Sequence, residues 1–302
     1  MEYFSPMLHS QMVLFLYLTI GVVIRRKNVI SEEALKGLVS FVLTVALPLM
    51  IFASFDMELT PELMRNGGIV LLIATTVTVL MIPFGKLLWR KYEPRKKAVL
   101  EFSTLMPNAG FAGIPLVYAV FGPQAVFFAS LLLMPQRAIT WSAASVIFRQ
   151  SKEKVSIKQI LLLPGNLAVF IGIFYMLLPF SLPSALAQVV LTVGQTAPPL
   201  SMIAVGCMLA ELNLKQLCDK ASLYLSAVRL VVIPVALLFV LRPFGLDFIV
   251  VASIVVLFAM PAGVNTALFA RQWDGDYIFA TRCIFVSSAL SIVTAPLLTL
   301  LL

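Results

Sequence analysis

The sequence predicts an all-α polytopic membrane protein of about ten transmembrane helices, arranged as a five-plus-five inverted repeat in which the fourth and ninth spans are broken. Three observations lead there. The 302-residue chain is 61% apolar and only 12% charged, against roughly 45–50% and about 25% in soluble domains. Polar punctuation divides it into about ten apolar runs of near membrane-spanning length. Two of those runs carry interruptions, Met106-Pro107-Asn108-Ala109-Gly110-Phe111-Ala112-Gly113-Ile114-Pro115 and Met260-Pro261-Ala262-Gly263-Val264-Asn265.

The first run, about 7–24, has no basic segment ahead of it and reads as a permanent span rather than a cleaved signal. It stops at Arg25-Arg26-Lys27. The second, about 35–55, contains Pro48, and Asp56, Glu58, Glu62 and Arg65 form the link to the third, about 67–88. A basic loop around Arg90 to Lys97 leads into the broken fourth run, about 98–121, which the Gly122-Pro123 turn closes. The fifth covers about 124–148. The sixth, about 160–178, is closed by Pro179. Pro183 precedes the seventh, about 184–209, in which Gln195, Thr196, Pro198 and Pro199 interrupt the apolar pattern. The link from Glu211 to Lys220 precedes the eighth, about 221–241. The ninth, about 247–270, holds the second break, and a link containing Asp274, Gly275 and Asp276 leads to the tenth, about 277–302.

Basic residues mark the cytoplasmic side. Arg25, Arg26, Lys27 and Lys36 follow the first span; Lys86, Arg90, Lys91, Arg95, Lys96 and Lys97 follow the third. Arg149, Lys152, Lys154 and Lys158 follow the fifth, Lys215 and Lys220 the seventh, and Arg271 the ninth, while the opposite loops hold Arg65 and Arg242. Both termini are therefore expected outside, and the net charge of +8 is explained without nucleic acid. Cys207, Cys218 and Cys283 lie in or beside predicted spans or on the cytoplasmic side, so no external disulfide framework is evident.

An odd number of spans per half inverts the second half, residues 154–302, relative to the first, residues 1–153. Met106-Pro107 answers Met260-Pro261, Pro48 answers the Pro198-Pro199 pair, and Gly122-Pro123 answers Asp274-Gly275. Matched interruptions of this kind point to a transporter's binding site. Proline removes a backbone donor, and in hydrocarbon such a break persists only where protein or a polar cavity satisfies it. Free N–H groups at one half-helix suit an anion, and free C=O groups at the other suit a cation.

The candidate substrate-binding residues are Asn108, Gly110, Gly113, Pro115, Pro261, Gly263, Asn265 and Gln195. The amides offer donors and an acceptor without net charge; their plainer role is to cap the broken backbone. The glycines permit close approach of a ligand or equally of another helix. Thr196 and Ser201 add polar groups near the seventh-span prolines. Among ionisable groups at membrane depth, Glu101 and Arg137 are candidates for coupling or electrostatic roles, as a pair or separately, with Arg137 able to attract an anion. Arg229 and Arg282 are nearer span ends and are expected to snorkel. His9 is the single histidine, so no histidine-rich metal site forms, and GxGxxG, GxxxxGK, HExxH and paired CxxC patterns are absent. No enzyme constellation is visible, and transport driven directly by ATP would need a partner.

The segment Asn108-Ala109-Gly110-Phe111-Ala112-Gly113-Ile114-Pro115 resembles the asparagine, glycine-phenylalanine, glycine and proline pattern in the fourth helix of the auxin efflux carrier (PIN-like) family, whose bacterial members include malonate or malate permeases by name. The run Leu268 to Trp273 through Asp276, with Ala295-Pro296 in the last span, resembles that family's end. The resemblance implies an inverted repeat distantly similar to bile acid:sodium symporters. It implies crossing fourth and ninth helices in a transport domain of spans three to five and eight to ten. Beside it stands a scaffold of spans one, two, six and seven. It further implies a homodimer and an elevator-like motion carrying an organic acid anion. Plant members have a long cytoplasmic insert; here the central link, about 149–159, is short.

The expectation is thus a secondary transporter of a small organic anion, auxin-like or a dicarboxylate, working in export from a cell membrane such as a bacterial inner membrane. Alternatives are a sodium-coupled organic anion symporter of the bile-acid type and a non-transporting membrane sensor; sodium and protons are the candidate coupling ions.

Overall fold

The computed structural model describes residues 4–58, 60–149, 158, 161–178, 181–210, 219–273 and 275–302. Lys152, Glu153, Lys154, Pro179, Glu211, Lys215, Cys218 and Asp274, and with them the central link, the proposed repeat boundary and the matched second turn, lie outside the described residues.

Local chemistry sets the helix starts. Helix α1 (Phe4–Arg26) ends on its two arginines, which suit the negative end of a helix dipole. Helix α2 (Glu32–Ala53) starts where the Ser31 side chain accepts from the Ala34 N–H, with Glu32 and Glu33 in the first turn. Helix α3 (Pro61–Leu88) is capped by Thr60, with proline in the first turn where no donor is needed. Helix α4 (Pro94–Leu105) stops at Met106, and α5 (Ala109–Phe121) ends on Gly122, whose φ of +77° suits glycine. Then follow α6 (Pro123–Arg149), α7 (Pro164–Met176), α8 (Ser184–Leu209), α9 (Lys220–Phe244), α10 (Phe248–Phe258), α11 (Asn265–Gln272) and α12 (Tyr277–Thr299). Asp219 and Ser222 cap α9 reciprocally, while Asp247 and Asp276 cap α10 and α12.

Proline leaves a repeated mark. Single π-helical turns occupy Val42–Ala46 in α2, Ala109–Gly113 in α5 and Val228–Val232 in α9. Each is followed two residues later by a proline, Pro48, Pro115 or Pro234. A proline ring crowds the carbonyl four residues back and gives no hydrogen bond to it. The widened turn relieves that crowding.

The expected ten spans in an inverted five-plus-five repeat are not what forms. Among the described residues, six helices are long and apolar enough to cross a membrane: α1, α2, α3, α8, α9 and α12. No inverted repeat of two five-helix halves is evident among the described residues. The physical reason is helix length and polarity. Helix α7 has 13 residues and α10 has 11; at about 1.5 Å per residue they reach roughly 20 Å and 16 Å, short of the ~30 Å hydrocarbon thickness. The fourth run divides into α4 and α5, and the ninth into α10 and α11. Helix α6 is 27 residues long, but Pro135, Gln136 and Arg137 interrupt its apolar character.

The broken segments are interior. Every residue from Ala98 to Leu105 in α4, and from Ala252 to Phe258 in α10, is buried. The long helices carry exposed apolar side chains instead, including Met12 and Leu16 on α1, Leu72 and Leu80 on α3, and Phe239 and Val240 on α9. Lipid is the solvent that such an outer surface requires. This is a multi-pass α-helical membrane protein. Helix α1 packs most extensively against the second half of α8, and the first half of α8 and α7 pack against α2. Helices α3, α4, α5 and α10 gather around α6, while α9 and α11 pack against α12.

Candidate functional site

The two interruptions meet inside the molecule. Pro107 and Ala262 pair as an isolated antiparallel bridge. The Asn108 N–H donates to the Pro261 carbonyl at 2.7 Å, and the Gly263 N–H donates to the Met106 carbonyl at 2.9 Å. Each break therefore satisfies the backbone that the other exposes. The Ala262 N–H is met by the Ser287 hydroxyl of α12 at 3.0 Å. Within its own arm, the Asn108 carbonyl accepts from the Ala112 N–H at 2.9 Å. This is how irregular backbone survives at membrane depth.

A cavity of about 240 Å³ lies against this crossing, walled by α1, α5, α8 and α12 and by Asn108 and Pro261 themselves. Its lining is largely apolar, with Leu14, Met202 and Phe285 among the walls. The polar exceptions are Gln11, Asn108, Ser288 and Ser291. Asn108 is 4% exposed and Gln11 is 7% exposed, and neither side-chain amide hydrogen-bonds within the protein among the described residues. The Ser288 hydroxyl has no partner among them either, while Ser291 donates to the Ser288 carbonyl at 2.7 Å. Two amides and a hydroxyl thus retain hydrogen-bonding capacity toward the cavity, beside the first turn of α5, whose N–H groups favour an anion. No charged side chain among the described residues lines it.

A larger space of about 790 Å³ abuts the cavity, and Val205 and Leu209 of α8 line both. It is bordered by Glu32 and Lys36 near the start of α2, by Leu209 at the end of α8 and by Tyr277 at the start of α12. Three helix ends therefore surround a vestibule that opens on the face carrying the Arg25-Arg26-Lys27 loop.

The profile of a family described as membrane transport protein matches residues 6–299. The chain belongs to that family. Across nearly its whole length it is also similar to two transport proteins. One, named "Uncharacterized transporter", is from Methanothermobacter thermautotrophicus and is 28% identical over 293 residues, covering 94% of each chain. The other, named "Putative malonate transporter", is from Rhizobium meliloti and is 25% identical over 273 residues, covering 87% of this chain and 85% of the relative.

Of the residues singled out in the sequence, the cavity brings together Asn108 and Pro261. Gly263 sits in the crossing against Met106, Gly113 packs toward Leu257 and Met260, Gly110 borders open space, and Pro115 is buried in α5. Asn265 is half-buried at the start of α11, off the cavity wall. Gln195 is exposed and donates to the Tyr118 hydroxyl at 3.1 Å, beside a separate space of only about 30 Å³. Thr196 bonds back to the Val193 carbonyl, and Ser201 donates to the Phe111 carbonyl at 3.0 Å, tying α8 to the π turn of α5.

The charged candidates are placed elsewhere. Glu101 faces Lys97 at 3.6 Å. Arg137 is not paired with it; its guanidinium donates to the Asn166 side chain at 3.1 Å, over the start of α7. Arg229 does not snorkel. It is 1% exposed, and its guanidinium donates to the Thr104 carbonyl near the end of α4. Arg282 pairs with Asp219 at 3.2 Å. Gln11, Ser288 and Ser291 are cavity residues that the sequence pattern does not single out. The one signal they carry is a glutamine inside the first apolar run and two serines one helical turn apart in the last.

Proposed function

We propose that the protein moves a small organic anion across the membrane, taking it up at the crossing of the two breaks. The observation that carries this reading is the cavity beside Asn108 and Pro261, whose polar side chains are uncharged and of which Gln11, Asn108 and Ser288 are without a hydrogen-bond partner among the described residues. Such a wall, next to a half-helix start, suits a carboxylate without trapping it as a fixed ion pair would. The Rhizobium relative's name gives malonate as a starting test compound, and the resemblance to auxin efflux carriers gives indole-3-acetate as another. The contacts of α1 with α8 and of α2 with α7 and α8 support taking α1, α2, α7 and α8 as one group and α3–α6 with α9–α12 as another, with α1 against α5 and α12 at the seam. The cavity lies between them, so a sliding of one group against the other exposes it alternately to the two faces, with net export as its direction. The Arg229 guanidinium on the Thr104 carbonyl sets a fixed positive charge near the carbonyl end of α4. That arrangement supports flux without an exchangeable sodium ion.

The test is uptake of radiolabelled malonate, malate and indole-3-acetate into proteoliposomes, with and without sodium and pH gradients, beside Asn108→Ala. Transport that persists without either gradient and falls in the variant is expected. Strict sodium dependence would replace the uncoupled cycle by a symport. Unchanged transport in the variant would reduce Asn108 to a structural cap.

A further inference from the structure

The vestibule carries a charge arrangement that the central cavity lacks. Two ionisable side chains of α2 border it, Glu32 and Lys36, one helical turn apart. Glu32 is not free: its carboxylate is held by the Arg25 guanidinium at 2.7 Å, and Arg25 also donates to the Ile30 carbonyl at 2.9 Å. Lys36 is exposed and has no ion pair or hydrogen bond among the described residues. The Thr281 hydroxyl is engaged by the Tyr277 carbonyl. Leu35, Val39, Met208 and Ile284 make the remaining walls largely apolar. The mouth of the path thus presents one uncompensated positive charge, among the described residues, on an apolar surface. Further in, where Val205 and Leu209 pass from vestibule to cavity, no charged side chain follows among them.

We propose that the vestibule is an entry subsite in which Lys36 captures the carboxylate of a substrate bearing a single negative charge on an apolar body. The inference rests on the organic-anion reading above and deepens it. A carboxylate arriving from the basic-loop face finds Lys36 within reach of its field, while the apolar walls receive its body. Passage to the crossing then exchanges Lys36 for the Asn108 and Gln11 amides, which can hydrogen-bond one carboxylate. A second carboxylate would enter the cavity with no cation to meet it, and burial of an unpaired charge is strongly disfavoured. The site therefore selects against dianions after the mouth and recruits monoanions at it.

Uptake kinetics of indole-3-acetate and malonate in proteoliposomes of known orientation test this, with Lys36→Gln, Lys36→Glu and Lys36→Arg beside the unaltered protein. Lys36 is exposed, so these substitutions leave the packed interior untouched; elution of each variant as the folded species in detergent checks this. With substrate offered from the Lys36 face, Lys36→Gln is expected to raise KM for indole-3-acetate about three- to tenfold at unchanged maximal rate. Lys36→Glu raises it further, and Lys36→Arg keeps it. The difference shrinks in high salt and is absent when substrate is offered from the other face. An unaltered KM in Lys36→Gln, or an equal rise from both faces, overturns the entry subsite. A lower KM for malonate than for indole-3-acetate overturns the single-charge selection. If the unaltered protein moves no organic anion, the organic-anion reading falls first and the subsite with it.

Discussion

Asn108 is legible in the sequence because its surroundings make it expensive: an amide between Pro107 and Gly110 inside an apolar run needs a partner or a cavity. In the fold its N–H is taken by Pro261 while its side chain faces the cavity. Asn108→Asp keeps the size but adds a negative charge to that wall. Anion uptake is expected to fall to background and the thermal midpoint in detergent to fall with it, since Asn108 is 4% exposed and no cation among the described residues lines the wall to meet the new charge. Gln11 is not legible, because the wall it completes comes from α5, α8 and α12, far away in sequence. Arg229 misleads for a related reason. A position near a span end suggests snorkelling, yet tertiary packing puts its guanidinium on the Thr104 carbonyl with the Trp89 indole bonded to the Thr104 hydroxyl beside it. Arg229→Ala strips a charge-assisted hydrogen bond from a buried carbonyl and is expected to cost about 2 kcal/mol, read as a lower midpoint in thermal denaturation. An unshifted midpoint would mean that Thr104 finds another donor.

At the level of helices, the sequence announces both central breaks and misleads about what they leave. Pro48, Pro115 and Pro234 each sit two residues past a π turn, a local effect of the ring. The number of spans is different. Counting each apolar run as one crossing ignores the residues that a break removes from a helix: α4, α10 and α11 end short beside the breaks, and α7 is short without one. The close pairing of α1 with α8 leaves no mark in the sequence either, since it joins residues far apart along the chain. These helices meet through Gly21 and Gly206, where a Cβ on Gly206 would overlap the Leu18 carbonyl and one on Gly21 the Ile203 carbonyl. The Cys207 thiol donates to the Gly21 carbonyl at 3.3 Å in the same contact. Backbone, unlike a side-chain tip, cannot swing aside. Gly206→Ala is therefore expected to force the pair apart at a cost of about 1–3 kcal/mol, whereas Gly37→Ala, with nothing nearby, leaves the thermal midpoint in place. Equal midpoints for the two variants would refute the close approach.

Across the whole molecule, the two groups proposed above meet along α1 against α5 and α12, and side-chain contacts join them as well, among them Gln195 on Tyr118, Ser201 on the Phe111 carbonyl and Arg137 on Asn166. If one group slides against the other, these must part. A short thiol-reactive cross-linker joining Tyr118→Cys to Gln195→Cys is expected to stop transport, with each single variant still active. Cys207 and Cys283 are buried, and Cys218 is replaced beforehand to keep the reaction specific. Full transport by the cross-linked protein would exclude sliding at this contact. The pairing at the crossing has another consequence, in the order of assembly. The carbonyl of Met106 and the N–H of Asn108 find their partners at Gly263 and Pro261, in the opposite half of the chain. During synthesis the first arm enters the bilayer long before the second exists, with its backbone unpaired in a medium that penalises this heavily. The crossing is thus among the last parts to mature, and a nascent chain stalled before Pro261 should be held by insertion factors or degraded.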